Sequence, residues 1–278
     1  MTGLGLRRRH LRFPVFRIPL RWATQNGWVG TYLASGIPVE RPFPVRFPSG
    51  ETFLYEFPEP EGLGESLYWK GSMSTEPDMV PDFIQYARRS SLFVDAGANT
   101  GFYSLLAHAA NPKIQSRAFE PNPAVFKKLV RHVELNGLAN SCQLHAFALG
   151  NSTGIVSFQV PEDATMGRIA APGDDDGGIS VEIRRLDDLL AGQAVDLVKI
   201  DVEGYELGVL QGMLGILHAH RPVIFFECLP GSPTQEIEAL LHGVGYRLHH
   251  LRAKTQATPI DHLDPDNRNT HNFLALPR

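Results

Sequence analysis

The residues of this sequence best placed to do chemistry are carboxylates at the ends of short apolar runs. Asp95 closes Leu92-Phe93-Val94 and is followed by Gly97 and Gly101. Glu120 closes Ala118-Phe119 and precedes Pro121-Asn122-Pro123. Asp201 and Glu203 follow Val198-Lys199-Ile200, and Glu227 follows Val223-Ile224-Phe225-Phe226. An acid at the carboxyl end of a buried strand faces the crevice where open α/β sheets bind ligands. There it can grip a hydroxyl, face a cation or accept a proton.

The glycine spacing narrows the ligand. G-x-x-x-G is not the G-x-G-x-x-G loop that cradles a pyrophosphate, and Asp95 would repel a phosphate beside it. A cationic ligand suits Asp95 better, and S-adenosylmethionine carries both a sulfonium and an ammonium. Gly97 permits a tight turn through Ala98 and Asn99, and Gly101 lets a helix start close to the strand. The amides at that helix start point at whatever sits in the turn. Glu120 stands where nucleotide-binding α/β folds place an acid for the ribose hydroxyls, about 20 residues beyond the turn.

Three segments, FVDAGANTG (93–101), AFEPNP (118–123) and VKIDVEGYE (198–206), together resemble the FkbM-type methyltransferases, which depend on S-adenosylmethionine. The resemblance covers residues 72–277. It implies a Rossmann-like seven-stranded sheet with its last strand antiparallel and helices on both faces. It also implies that Phe147 and Ala148, after the third strand, border the adenine, and that Asn122 belongs to the cofactor site. The acid-proline pair Glu76-Pro77 would lie near the cofactor entrance, although Glu76 could equally be an acid at a helix start.

Methyl transfer to a hydroxyl requires an aligned nucleophile and the removal of a proton. Asp201 is the first candidate for base or acceptor-orienting residue, and Glu203 the second. Glu227, at the end of the next strand, could converge with Asp201, and paired acids raise one partner's pKa. Lys199 could pair with one of these acids or lay its stem along the sheet. Acids so grouped can also hold a divalent cation. These segments lack the pattern of metal-dependent catechol enzymes, so no metal is assigned.

The elements that position these residues follow from periodicity. Apolar runs alternate with amphipathic stretches from residue 91 onward, as in repeated βα units with right-handed crossovers. Residues 91–278 therefore form the cofactor-binding domain. Residues 41–90 form a small N-terminal element, with a hairpin across Pro48-Ser49-Gly50 and a helix over 78–88. Residues 161–180, rich in Gly, Asp and Ala, read as a long surface loop, with Met166 and Arg168 reaching inward as a lid. Residues 205–218 read as one helix, with Glu206 as an ion-pair partner.

At 278 residues and 43 % hydrophobic content the chain can bury one large α/β core. A net charge of −4 argues against general nucleic-acid binding. Two cysteines without metal spacing suit a reducing cytoplasm. No apolar run approaches the ~20 residues of a membrane span. Residues 1–40 carry Arg7, Arg8, Arg9, Arg12, Arg17 and Arg21 and read as a solvated, partly disordered extension. Interleaved Phe13, Val15, Phe16 and Ile18 give that extension a weak peripheral membrane contact as its second reading.

The sequence thus points to O-methylation of a sugar, glycolipid or secondary metabolite. A nicotinamide-dependent oxidoreductase would need a phosphate-friendly loop, which Asp95 opposes. A non-enzymatic binding protein on this fold would have little use for so complete a set of acids.

Overall fold

The computed structural model describes residues 14–25, 39–57, 62–160, 167–170, 177–252, 256–265 and 271–278. The chain divides into two compact units, Met1–Pro77 and Asp78–Arg278.

The first unit holds α1 (Pro14–Gln25), β1 (Val39–Arg46) and β2 (Thr52–Phe57). The expected hairpin is present, with Val45 opposite Phe53 and Phe43 opposite Tyr55. Its ladder is irregular between Val39 and Phe43, where Pro42 has no N–H to donate. Phe43, Val45, Phe53, Tyr55 and Phe57 are buried, and Tyr68 and Trp69 pack edge to face at 4.7 Å. Part of the segment read as a solvated extension is helical instead. Pro14 takes the first helical position, where a missing N–H is harmless, and Pro19 lies inside the helix. Contacts from Arg21 and Gln25 to Tyr68 hold α1 in place, a tertiary effect that local propensity does not reveal. Arg7, Arg8, Arg9, Arg12 and Phe13 lie outside the described residues, as does Met166.

The second unit runs α2 (Val80–Ala87), β3 (Leu92–Ala96), α3 (Phe102–Ala110), β4 (Gln115–Phe119), α4 (Pro123–Leu135) and β5 (Cys142–His145). A second sheet uses β6 (Ala148–Leu149), β7 (Gly154–Gln159), β8 (Arg168–Ile169) and β9 (Ile179–Arg184). The chain continues through α5 (Leu186–Leu189), β10 (Leu197–Ile200), α6 (Glu206–Gln211), α7 (Leu214–Ala219) and β11 (Val223–Glu227). It ends with α8 (Thr234–Gly243), β12 (Tyr246–His250), β13 (Thr258–Ile260) and β14 (Asn272–Pro277). No helix among the described residues is long and apolar enough to cross a membrane.

The central sheet has the order β13-β12-β14-β11-β10-β3-β4-β5. The run from β11 to β5 is parallel, and β14 is antiparallel to both its neighbours. Seven of these strands make the expected Rossmann-like sheet. The eighth, β13, pairs with β12 at the edge and is too short to show a period in the sequence.

Alternation along the strands sorts side chains to two faces. Val94, Ala96, Val198, Ile200, Ile224 and Phe226 share a core with Val209 and Leu210 of α6, Leu217 of α7 and Ile237 of α8. On the opposite face Phe93 and Phe225 meet Phe83 of α2, which also touches Tyr103 of α3. Asp95 and Lys199 have the parity of this second face and are register partners across β3 and β10.

Two expectations need correction. The single helix over 205–218 is split at Gly212-Met213. A Cβ on Gly212 would sit 1.9 Å from the Gly150 carbonyl oxygen, so the helix breaks where it packs directly on that backbone. Residues 161–180 are not wholly loop, because Phe158 and Gln159 of β7 pair with Ile169 and Arg168 of β8. A two-residue strand is too short to leave a periodic signature.

Candidate functional site

The turn after β3 is built by steric demand. Gly97 has φ +76°, and a Cβ there would lie 1.7 Å from the Asp201 carbonyl oxygen. The turn therefore packs against the end of β10 in a way only glycine allows. The amides of Gly97 and Ala98 both donate to the Phe119 carbonyl, at 3.0 and 2.9 Å, tying the turn to the end of β4. Gly101 (φ +95°) starts α3 against Leu129 of α4. Asn99 adopts φ +49°, and its Oδ1 accepts from the Thr100 amide.

Glu120 stands beside this turn. Its Oε2 accepts from the Asn99 amide at 3.0 Å and its Oε1 from the Asn122 amide at 2.8 Å. Burial raises its pKa to about 7, with those two amides pulling the other way. Asn122 is itself buried, and its Oδ1 caps α4 by accepting from the Ala124 amide.

Lys199, 3 % exposed, extends from β10 under the Asp201 carboxylate, with Nζ 2.7 Å from Oδ2. Its ammonium also lies 4.6 Å from the centroid of the Tyr103 ring. Burial pushes the Asp201 carboxyl up, but the Lys199 charge and hydrogen bonds from Lys199 and Glu227 outweigh it, leaving the pKa below its ordinary value. Glu227 responds in the opposite sense. Burial, then the Asp201 charge, raises it to about 9. The two shifts run in opposite directions, so the pair favours sharing a single proton near neutral pH, with Glu227 the more readily protonated partner.

Asp95 is buried at 1 % exposure, accepts from Ser104 Oγ at 2.7 Å, and has its pKa raised chiefly by burial. Among the described residues its Oδ1 has no hydrogen-bond partner. Glu203 holds φ +54°, and burial followed by the Asp201 charge raises its pKa. Among the described residues Glu206 has no ion-pair partner and instead braces the loop. Its Oε1 accepts from the amides of Gly204 at 3.0 Å and Val202 at 3.3 Å.

One cleft gathers much of the expected set: Gly97, Asn99, Glu120, Ala148, Asp201 and Glu203 all line it. Asp95, Ala98, Gly101, Asn122 and Glu227 are not among the described residues that line it. Phe147 turns away and packs on Phe119 and His145, under the Arg184 guanidinium. Glu76 belongs to the first compact unit and has φ +40°.

The cleft also has walls that sequence reasoning missed, chiefly Phe158 of β7 and Gly167 and Ile169 at β8. Phe158 sits in a short alternating stretch, and no local pattern says which cavity its side chain faces. Arg168, expected to reach inward, is exposed. Its neighbour Ile169 lines the cleft instead, as the alternation of a strand requires.

Carboxylate oxygens of Asp201, Glu203 and Glu227 lie within 4.8 Å of one another, a spacing a divalent cation could bridge. Lys199 already supplies positive charge to that group, and no cation site is assigned.

Residues 95–248 match the family described as "Methyltransferase FkbM domain". The chain is 30 % identical over 198 residues to methyltransferase sdnD of Sordaria araneosa, spanning 58 % of this chain and 75 % of that protein. It is 28 % identical over 180 residues to hexuronic acid methyltransferase AglP of Haloferax volcanii, spanning 64 % and 72 %. It is 29 % identical over 202 residues to 31-O-demethyl-FK506 methyltransferase FkbM of Streptomyces tacrolimicus, spanning 61 % and 75 %.

Proposed function

The chain belongs to the FkbM methyltransferase family, and on that premise we propose that it transfers a methyl group from S-adenosylmethionine to a hydroxyl of a sugar, glycolipid or secondary metabolite. The observation that carries this reading is the convergence of Gly97, Asn99, Glu120, Asp201 and Glu203 on one cleft. The names of two relatives support the acceptor class, one a hexuronic acid methyltransferase and one acting on an O-demethyl substrate.

The chemistry of the donor set fits the cofactor. A ligand bearing a sulfonium and an ammonium suits an edge rich in carboxylates, and the unpartnered Oδ1 of buried Asp95 marks a place where positive charge would be welcome. Glu120 would accept from the ribose hydroxyls with the lone pairs its two amide contacts leave free. The turn from Gly97 to Gly101 would hold the amino-acid end, and Ala148 with Phe119 would flank the base. Bound there, S-adenosylmethionine supplies an electrophilic methyl group.

Asp201 accepts the acceptor's hydroxyl proton. Glu227 is protonated at neutral pH and cannot take it. Lys199 makes Asp201 a weak base, and a weak base suffices here. An alcohol oxygen becomes strongly acidic as it gains a third bond, so its proton passes late to whatever carboxylate faces it. Glu203, on the same cleft wall, orients the hydroxyl. Both cysteines, Cys142 and Cys228, are free and buried, which suits a cytoplasmic location.

Calorimetry tests the cofactor: S-adenosylhomocysteine should bind and NAD should not, and the reverse would overturn the reading. Asp201→Asn should lower turnover by about 10²–10⁴-fold with near-normal S-adenosylhomocysteine affinity. Unimpaired turnover would remove Asp201 from the base role.

A further inference from the structure

The first unit contains a cavity of about 390 Å³ that the methyl-transfer reading does not use. Arg21 of α1, Arg46 of β1 and Lys70 line it together with Gln25, Ser72 and Met73, and among the described residues no carboxylate lines it. Among the described residues none of the three cations is ion-paired.

The Arg21 guanidinium is fixed in place. It lies 4.4 Å from the centroid of the Tyr68 ring and 5.4 Å from that of Phe43, and those two rings meet edge to face at 4.9 Å. Gln25 Nε2 donates to the Tyr68 carbonyl at 3.0 Å, so α1 is held at the cavity wall. Ser72 Oγ donates to the Arg46 carbonyl at 2.6 Å, holding the Ser72 wall against β1. Burial lowers the Arg21 pKa, Tyr68 works against that shift, and the like charge of Arg46 adds to it. Cations held together without a counter-ion repel one another, and an anion between them relieves the repulsion. An arginine stacked on aromatic rings presents its donor fork with little further loss of freedom, a geometry matched to phosphate and carboxylate.

We propose that this cavity is an oxyanion-binding site that takes the phosphate or carboxylate group of a sugar-sized ligand. Its volume falls within the usual range for small-molecule pockets, roughly 300–1,000 Å³. A soluble acidic or phosphorylated sugar and a lipid-linked phosphate offer the same group. Ile18 and Trp22, 72 % and 55 % exposed one helical turn apart on α1, make the lipid source worth testing beside the soluble one.

The test uses the full chain and the double variant Arg46→Ser/Lys70→Ser, both of whose positions are exposed. Calorimetry is run with pyrophosphate, with glucuronate and with glucose as the neutral control. Co-sedimentation is run with phosphatidic acid vesicles against phosphatidylcholine vesicles. At least one anionic probe should bind in preference to its neutral counterpart, and the double variant should lose at least about tenfold of that affinity. Binding of the soluble anions identifies a soluble source, and binding of the vesicles alone identifies a lipid one. No preference for any anionic probe, or equal affinity in the double variant, overturns the proposal. S-adenosylhomocysteine affinity, measured on the same samples, should be equal in both proteins, so a failed cofactor reading is told apart from a failed anion site.

Discussion

Lys199 Nζ lies 2.7 Å from Asp201 Oδ2, and Asp95 is the register partner of Lys199 on the neighbouring strand. One buried ammonium thus stands near carboxylates from β3 and from the end of β10. Lys199 is 4 % exposed and Asp201 25 % by side chain. Lys199→Met keeps most of the stem and removes the charge that favours the ionised forms of Asp95 and Asp201. Breaking a buried pair from one side costs about 3 kcal/mol or more. Urea unfolding measures this directly, and a loss under about 1 kcal/mol would show that Lys199 does not hold these acids together.

Stability should fall as pH rises through neutrality. Glu227 and Glu120 have folded-state pKa values raised to about 9 and about 7 from an ordinary 4.5. A raised acid favours the folded state fully below its unfolded pKa and loses that contribution as pH climbs to the folded value. The window for Glu227 therefore runs from about pH 4.5 to 9, and the lowered Asp201 acts only at more acid pH. Unfolding free energy should drop by on the order of 4 kcal/mol between pH 6 and 8.5, about 1.4 kcal/mol per pH unit for each group inside its window. Glu227→Gln should flatten most of that slope; an unchanged slope would mean Glu227 is ionised in the folded protein.

Glu120 links cofactor affinity to pH. Its carboxylate is the form that accepts from two hydroxyls, and it is half protonated near pH 7. Affinity for S-adenosylhomocysteine should weaken as pH falls from 8 to 6. Glu120→Ala should cost about 1.5–3 kcal/mol of binding, the worth of hydrogen bonds to a charged group. Glu120→Gln should bind weakly at every pH. Wild-type affinity in either variant would take Glu120 out of the cofactor site.

Two glycines separate strain from close approach. Gly97 and Gly137 both have positive φ, but a Cβ meets the Asp201 carbonyl only at Gly97, while Gly137 has nothing within 4 Å. Gly137→Ala should cost about 1 kcal/mol from backbone conformation alone. Gly97→Ala should cost about 3 kcal/mol or more and abolish S-adenosylhomocysteine binding, because the turn and the end of β10 must separate. Melting temperatures and titrations of the two variants settle the comparison, and equal losses would refute the close-approach argument.

The parallel sheet was legible because Leu92-Phe93-Val94 and Val223-Ile224-Phe225-Phe226 are unbroken apolar runs between amphipathic helices, a pattern fully buried strands require. Gly97 and Glu120 were legible because each follows its strand at a spacing tied to ligand geometry. The fate of Phe147 was not. It borders Ala148, which lines the cleft, yet its ring packs behind against Phe119. Phe147 lies in the bend between β5 and β6, where no strand alternation sets its direction, and only the packed fold seats its ring on Phe119. Phe158 and Ile169 stayed hidden because packing likewise decides which cavity they face.

The sequence alone determined that acids stand at strand ends beside a glycine turn, and the order of βα units, because both depend on residues close together in the chain. Tertiary structure decided how those acids divide their protons. Lys199 lies in β10 two residues before Asp201, but Glu227 comes to Asp201 from another strand, and the ionisation of each depends on burial and charge within a few ångströms. The Arg21, Arg46 and Lys70 cavity has the same origin: three cations far apart in the chain face one space only after folding.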